Sequence, residues 1–367
     1  MSEQNRTLVA IALMGLILMI FFSDWYQSKV APGSTTPQKP HIESSFSSES
    51  DTTERVAVTD TPVVVPTQTP LDTLVASNLS ETRVIVSTPL YEMHFSNRGG
   101  GTLEKVYLNN YLKKDSSRVQ MISDMAEGVL ANQFIGYDVE DFDTQDLLSV
   151  CSLGEGYDFD FSVYDNPDSF SFEIPLAGGA KIIRTFTFYP DSFHFDLSQE
   201  LINFDQVNAG RYFATSWSGG VAPTEKNRKD DLYYSEMYAL LGDDSSPSDY
   251  SADEDRESEV QTALTTWVGT RSKYFTAILI PERSVSEFKM VRYQTAGGDD
   301  NSEKIFDFDV RDAFDRRSAV SESNYRVYVG PLDFDILKGY GLSFEEMMNW
   351  GWFGIIGKGA LWVFKSD

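Results

Sequence analysis

The sequence is short of the residue types from which most catalytic and metal sites are built. Its 367 residues hold one cysteine, Cys151, and three histidines, His41, His94 and His194. A single cysteine excludes an intrachain disulfide framework and any multi-cysteine zinc site. Three scattered histidines leave little for histidine-based catalysis. Basic charge is scarce as well: 30 Lys and Arg stand against 56 Asp and Glu, a formal charge of -26. Such a balance argues against nucleic acid, whose phosphates need a basic face, and against electrostatic docking on anionic lipid. Walker, G-x-S-x-G, HExxH and CxxC motifs are absent; Gly351 to Gly357-Lys358 has the wrong spacing for a phosphate loop. No cofactor and no metal is implied. What is present is a core: 41% hydrophobic and 13% aromatic residues exclude global disorder.

The longest apolar run is at the N-terminus. Leu8 to Phe22 reads LVAIALMGLILMIFF, fifteen residues without a charge, and Trp25 and Tyr26 follow. The span 8–26 is close to the ~20 residues a helix needs to cross the hydrocarbon core, with Leu8, Leu13, Leu18 and Phe22 inside it and an aromatic pair at its edge. A cleaved signal peptide would need a small-x-small site soon after. The nearest, Lys29-Val30-Ala31 before Pro32, is poor at both ends, so an uncleaved anchor is expected. The flanking charges, Arg6 and the terminal amine against Lys29 and Lys39, tie. The seven-residue head is assigned to the cytoplasm.

Residues 27–80 change texture: six of the fourteen prolines and eighteen Ser or Thr fall there. This is a flexible, partly extended tether. From 81 to 333 the period becomes two. Tyr91, Met93 and Phe95 alternate with polar residues, as do Phe159 and Phe161, Phe170 and Phe172, Phe193 and Phe195, and Phe306 and Phe308. Each reads as a half-buried strand. Tyr274–Ile280, nearly all apolar, reads as a strand buried on both faces. Without strand–helix alternation, a large antiparallel β-sandwich is expected. Residues 243–259, with eight acids against Arg256, read as a solvated loop. Neither this stretch nor Asp141–Asp146 has the glycine and closing glutamate of an EF-hand loop.

Residues 334–367 are assigned to an amphipathic interfacial segment. Trp350–Phe364 reads WGWFGIIGKGALWVF. Fifteen residues are too few to span a bilayer comfortably, but suit a helix lying in the interface. Trp350, Trp352, Phe353, Lys358 and Trp362 are the expected interface residues; a buried C-terminal helix is the alternative. His194 and Asp196, two apart on one strand face, could form an acid/base pair. That keeps open a sugar-binding or mutarotase-like domain.

Several local motifs occur in a telling order. They are Asn5-Arg6 before the first apolar run, Phe95-Ser-Asn-Arg-Gly-Gly100, Trp267-Val-Gly269 followed by Tyr274-Phe275 and Ile280-Pro281, Tyr328-Val-Gly-Pro331, and Asn349-Trp-Gly-Trp-Phe353. Over residues 1–364 this resembles the N-terminal half of the YidC-type membrane protein insertases of Gram-negative bacteria. The resemblance implies a periplasmic β-supersandwich, related to galactose-mutarotase-like sugar-binding sandwiches, between an N-terminal transmembrane helix and a C-terminal amphipathic helix. It implies a non-enzymatic role in inserting and folding nascent inner-membrane proteins, alone or with the Sec translocon and its accessory subunits, in contact with membrane lipid. The family's helical insertase core, with its key arginine, would follow the amphipathic helix. The 367 residues stop before it, so a fragment or a truncated product is expected, and no residue here takes that arginine's role.

Overall fold

Alternating apolar residues become strands because a period of two puts every second side chain on one face of a pleated sheet. The computed structural model describes residues 69–70, 79–136, 140–297, 302–313, 315 and 317–348, all within the unit Val64–Asp367. The anchor expected at 8–26, most of the tether and the interface residues from Trp350 to Trp362 lie outside the described residues. Among those described, no helix is long and apolar enough to cross a membrane.

The strands run in chain order as β1 Thr69–Pro70, β2 Arg83–Ser87, β3 Tyr91–Ser96, β4 Thr102–Leu112, β5 Arg118–Gln120, β6 Asn132–Ile135, β7 Phe142–Asp143 and β8 Val150–Cys151. There follow β9 Phe159–Ser162, β10 Asp168–Pro175, β11 Lys181–Phe188, β12 His194–Ile202, β13 Val207–Asn208, β14 Tyr212–Trp217, β15 Glu236–Leu241 and β16 Ser248–Tyr250. The last are β17 Glu257–Gln261, β18 Thr265–Arg271, β19 Phe275–Pro281, β20 Glu287–Gln294, β21 Lys304–Ala313 and β22 Val320–Pro331. Among the described residues two short α-helices occur, α1 Arg228–Tyr234 and α2 Phe334–Lys338.

The main sheet has nine strands in the order β16-β15-β18-β19-β22-β12-β11-β10-β8. A six-stranded sheet (β17-β20-β21-β14-β6-β7) and a five-stranded one (β5-β4-β3-β2-β9) face its inner side. Among the described residues pairing is antiparallel except for β1 with β13 and β2 with β9. The fold is therefore mainly β and antiparallel, as the alternation predicts. The core is an aromatic cluster: Phe95 from β3 lies 5.0–6.0 Å from the rings of Phe170, Phe186, Phe188 and Phe195 on the main sheet.

A buried cation sits in this core. Arg184 is fully buried on the inward parity of β11, between Ile182 and Phe186. Among the described residues its guanidinium has no carboxylate partner. Nε donates to Gln199 Oε1 (2.9 Å), Nη1 to the carbonyls of Gly99 (2.8 Å) and Gly100 (3.1 Å), and Nη2 to that of Leu130 (2.6 Å). This is why the turn after β3 carries its glycine run. Gly100 (φ +73°) and Gly101 (φ +106°) are in backbone regions that suit glycine. A Cβ on Gly100 would meet Ile174 Cδ1 at 2.7 Å, and one on Gly101 would meet Phe186 at 2.7 Å. Asn97 in the same turn accepts from Thr82 N and donates to the carbonyls of Ser80 and Ser149, tying β2, β3 and the approach to β8 together.

The acidic stretch 243–259 departs from expectation. It contains β16 and part of β17, which are edge strands of the nine- and six-stranded sheets. β17, with both faces wet, has no apolar alternation to betray it, and its charges discourage further pairing; β16 is too short to show a period, with Tyr250 alone packed on the core.

Candidate functional site

The chain leaves the sandwich at Pro331 and turns back over the main sheet's outer face. Tyr328 and Ile278 point outward here, as does Trp267 on β18. Gly269 and Gly330, the glycines of the Trp-Val-Gly and Tyr-Val-Gly-Pro motifs, allow close packing. A Cβ at Gly330 would meet Phe193 at 2.8 Å, and one at Gly269 the Ala277 carbonyl at 2.9 Å. Asp333 caps α2 by accepting from Asp335 N (2.9 Å) and Ile336 N (3.1 Å).

Residues 332–348 then form a strap across the outer face. Trp267 Nε1 donates to the Leu342 carbonyl (2.9 Å), and its ring meets Phe344 at 5.1 Å. Tyr340 packs on Tyr328 at 5.6 Å. Arg271 donates to the Met347 carbonyl and, through Nε, to that of Tyr234 (3.0 Å). The strap explains why β19 is buried on both faces: sheets cover one side and the strap the other. Residues 334–348, grouped with the membrane-side segment by sequence, thus pack on the sandwich.

Between strap and sheet lies an open cleft of about 520 Å³, lined by Asp196, Ser198, Glu282, Asn324, Arg326 and Tyr340 among others. His194 lies close by on the same sheet face. The structure gives His194 and Asp196 separate partners. His194 Nδ1 is 2.6 Å from Ser192 Oγ and 2.7 Å from Tyr340 Oη, within hydrogen-bond reach of both hydroxyls. Burial, then the charge of Arg326, pushes its imidazole down to about 4. Asp196 accepts from Arg326 Nε (2.9 Å) and Tyr189 Oη (2.7 Å). Burial acts to raise this carboxyl, but those two donors outweigh it and hold it below the usual range. Asn324 in turn links Ser198 Oγ and Glu282 Oε2, each at 2.9 Å. The polar groups of the cleft largely satisfy one another. His94 is on the five-stranded sheet, paired with Glu92 at 2.8 Å. Among the described residues no three His, Cys, Asp or Glu side chains are placed to hold a metal ion.

Sequence reasoning found His194, Asp196 and the motif glycines, but not the strap. Its contacts with Trp267 and Arg271 bridge about 75 residues of sequence. The one local signal was Trp267 beside a glycine at the start of an otherwise buried hairpin.

Fold and strap define a class: a large antiparallel sandwich whose outer face seats its own C-terminal segment. Comparison with known proteins makes that specific. The YidC periplasmic domain family matches residues 83–363, and the chain belongs to it. The Membrane protein insertase YidC of Chlorobium phaeovibrioides is 26% identical over 351 residues, covering 95% of this chain and 57% of that protein. That of Prosthecochloris aestuarii is 26% identical over 355 residues, with the same coverage of 95% and 57%. The chain thus spans a little over half the length of the relatives it matches. Similar solved structures include a putative aldose 1-epimerase from Escherichia coli K12 (TM-score 0.38, 10% identity, 68% of this chain and 99% of that one). Another is an aldose epimerase homologue from C. elegans (TM-score 0.39, 8% identity, 68% and 99%).

Proposed function

We propose that this chain is the anchor and periplasmic part of a membrane protein insertase of the bacterial inner membrane. It serves the insertion and folding of nascent inner-membrane proteins, alone or beside the Sec translocon. The observation that carries this is family membership over 83–363, together with relatives named as insertases along 95% of the chain. The strap suits the role mechanically. Its bonds to Trp267 and Arg271 hold the chain on the sandwich up to Met347, immediately before the apolar stretch 350–364. In this reading 8–26 crosses the membrane with Leu8, Leu13, Leu18 and Phe22 in lipid and the N-terminus inside. Trp350, Trp352, Phe353, Lys358 and Trp362 lie in the periplasmic interface.

The test is depletion of the protein in its own cells, following protease protection of a newly made inner-membrane protein. Uninserted client should accumulate; unimpaired insertion would overturn the reading. For topology, protease added to spheroplasts should digest the sandwich while the mature N-terminus stays near residue 1. A mature N-terminus at Pro32 would remove the anchor. No observation favours a sugar-handling enzyme, since Asp196 and His194 are committed to other partners.

A further inference from the structure

Around the place where β22 ends, the acidic surface gives way to a basic and apolar rim. A groove of about 420 Å³ lies between the β4–β5 hairpin, residues 224–226, the β18–β19 turn and the first residues of the strap. Three lysines, Lys113, Lys114 and Lys226, line it against two acids, Glu225 and Asp333. The chain as a whole has nearly two acids per base, 56 to 30, so the rim reverses the average. Asp333 is moreover engaged in capping α2. Lys113, Lys114 and Lys226 form no ion pair among the described residues; Lys273, next to the groove, pairs with Asp230 at 3.0 Å.

Large apolar groups stand out at the same place. Leu112 is 62% exposed, Tyr274 47% and Tyr233 74%. Two of them belong to one surface, since Leu112 and Tyr274 line the groove; Tyr233 stands on α1 beside Tyr234, whose carbonyl takes the Arg271 Nε bond. Arg271 also holds Met347, three residues before the apolar stretch 350–364 begins in the sequence. Unpaired lysines with long apolar stems, flanked by an exposed leucine and tyrosines, suit a lipid–water interface. Ammonium groups can reach phosphate there while stems and rings enter the headgroup layer.

We infer that this rim, built from Leu112, Lys113, Lys114, Lys226 and Tyr274, docks the sandwich on anionic lipid headgroups and sets which end of the domain faces the membrane. The inference rests on the membrane tether of the proposed function, but its test requires no insertion activity. The full chain would be reconstituted in phosphatidylcholine vesicles with and without phosphatidylglycerol, bearing a nitroxide at Leu112→Cys. The native Cys151 is buried. A control label at Val320→Cys lies at the far end of the twelve-residue β22, roughly 36 Å away at about 3.3 Å per residue.

In anionic vesicles, collision of the Leu112 label with a water-soluble nickel chelate should fall about threefold or more, and the Val320 label should not change. The triple variant Lys113→Gln, Lys114→Gln, Lys226→Gln should restore collision at Leu112 while leaving the Val320 signal as it was, which also reports an intact fold. Equal collision at Leu112 in the two vesicle types would overturn the inference. So would protection in both types that the triple variant leaves untouched, which would give the groove to an apolar segment of polypeptide instead. Either result would leave the depletion test of insertion standing on its own.

Discussion

Replacing Arg184 tests the account of the core. Its guanidinium donates to four acceptors: Gln199 Oε1 and the carbonyls of Gly99, Gly100 and Leu130. Burial pushes it down to about 9, which still leaves it charged at neutral pH. Exchanging a whole buried ion pair for apolar groups is often harmless, because both desolvation costs vanish together. Here the described residues offer no second charge to remove, and the acceptors are mostly backbone. Arg184→Met recovers the desolvation of one cation but strands up to four buried acceptors, at about 1–3 kcal/mol each. Part of this is regained by relaxation or by an entering water, so a net loss of about 3–5 kcal/mol is expected. Arg184→Lys keeps the charge but loses the planar fork, and should fall between variant and parent. The assay is urea unfolding of the detergent-solubilised chain, followed by the fluorescence of the buried Trp217 and Trp267. A methionine variant as stable as the parent would refute the claim that the guanidinium organises the glycine turn.

Three further outcomes follow from the geometry. Gly100→Ala combines a positive φ with a 2.7 Å approach to Ile174 Cδ1, so it should cost about 2–4 kcal/mol in the same unfolding assay. His194 titrates near 4 when folded against 6.5 otherwise, so the unfolded chain takes up the proton first on acidification. Its contribution is intact above pH 6.5 and lost as pH falls through 4, and His194→Gln should flatten that part of a stability–pH curve. A net charge of -26 repels itself most at low ionic strength. The melting temperature should therefore rise as salt shortens the screening length towards about 10 Å near 0.1 M; a flat curve would remove the argument.

How far the sequence could be read depended on how local each cause was. The alternating apolar residues of β10 and β12 follow from a period of two within a few residues, and both strands are where it puts them. Arg184 left a trace that could have been caught: in KIIRTFTF it holds an inward position between Ile182 and Phe186, where a lone charge must find buried acceptors. β17 left none, because an edge strand with two wet faces carries loop-like composition, and β16 is three residues long with Tyr250 alone turned to the core. The His194–Asp196 pairing failed for another reason. Two residues on one strand face are neighbours, but the partners each took, Tyr340 for one and Arg326 for the other, arrive from 146 and 130 residues away.

The same distinction between local and averaged causes bears on charge. Net charge is a sum over the whole chain, whereas a surface in physiological salt feels only the charges within roughly 8–10 Å of it. An excess of acid therefore excludes a ligand that must contact much of the surface, as a long nucleic acid would. It does not exclude one that meets a single end. Lys113 and Lys114 come from a hairpin, Lys226 from the loop before α1, and the strap's first residues complete the groove. None of these segments is basic enough to alter the composition of the chain. Folding alone brings the lysines together. A chain that is anionic on average can in this way oppose one cationic end to an anionic membrane, while its remaining acids, repelled by that membrane, favour the same orientation.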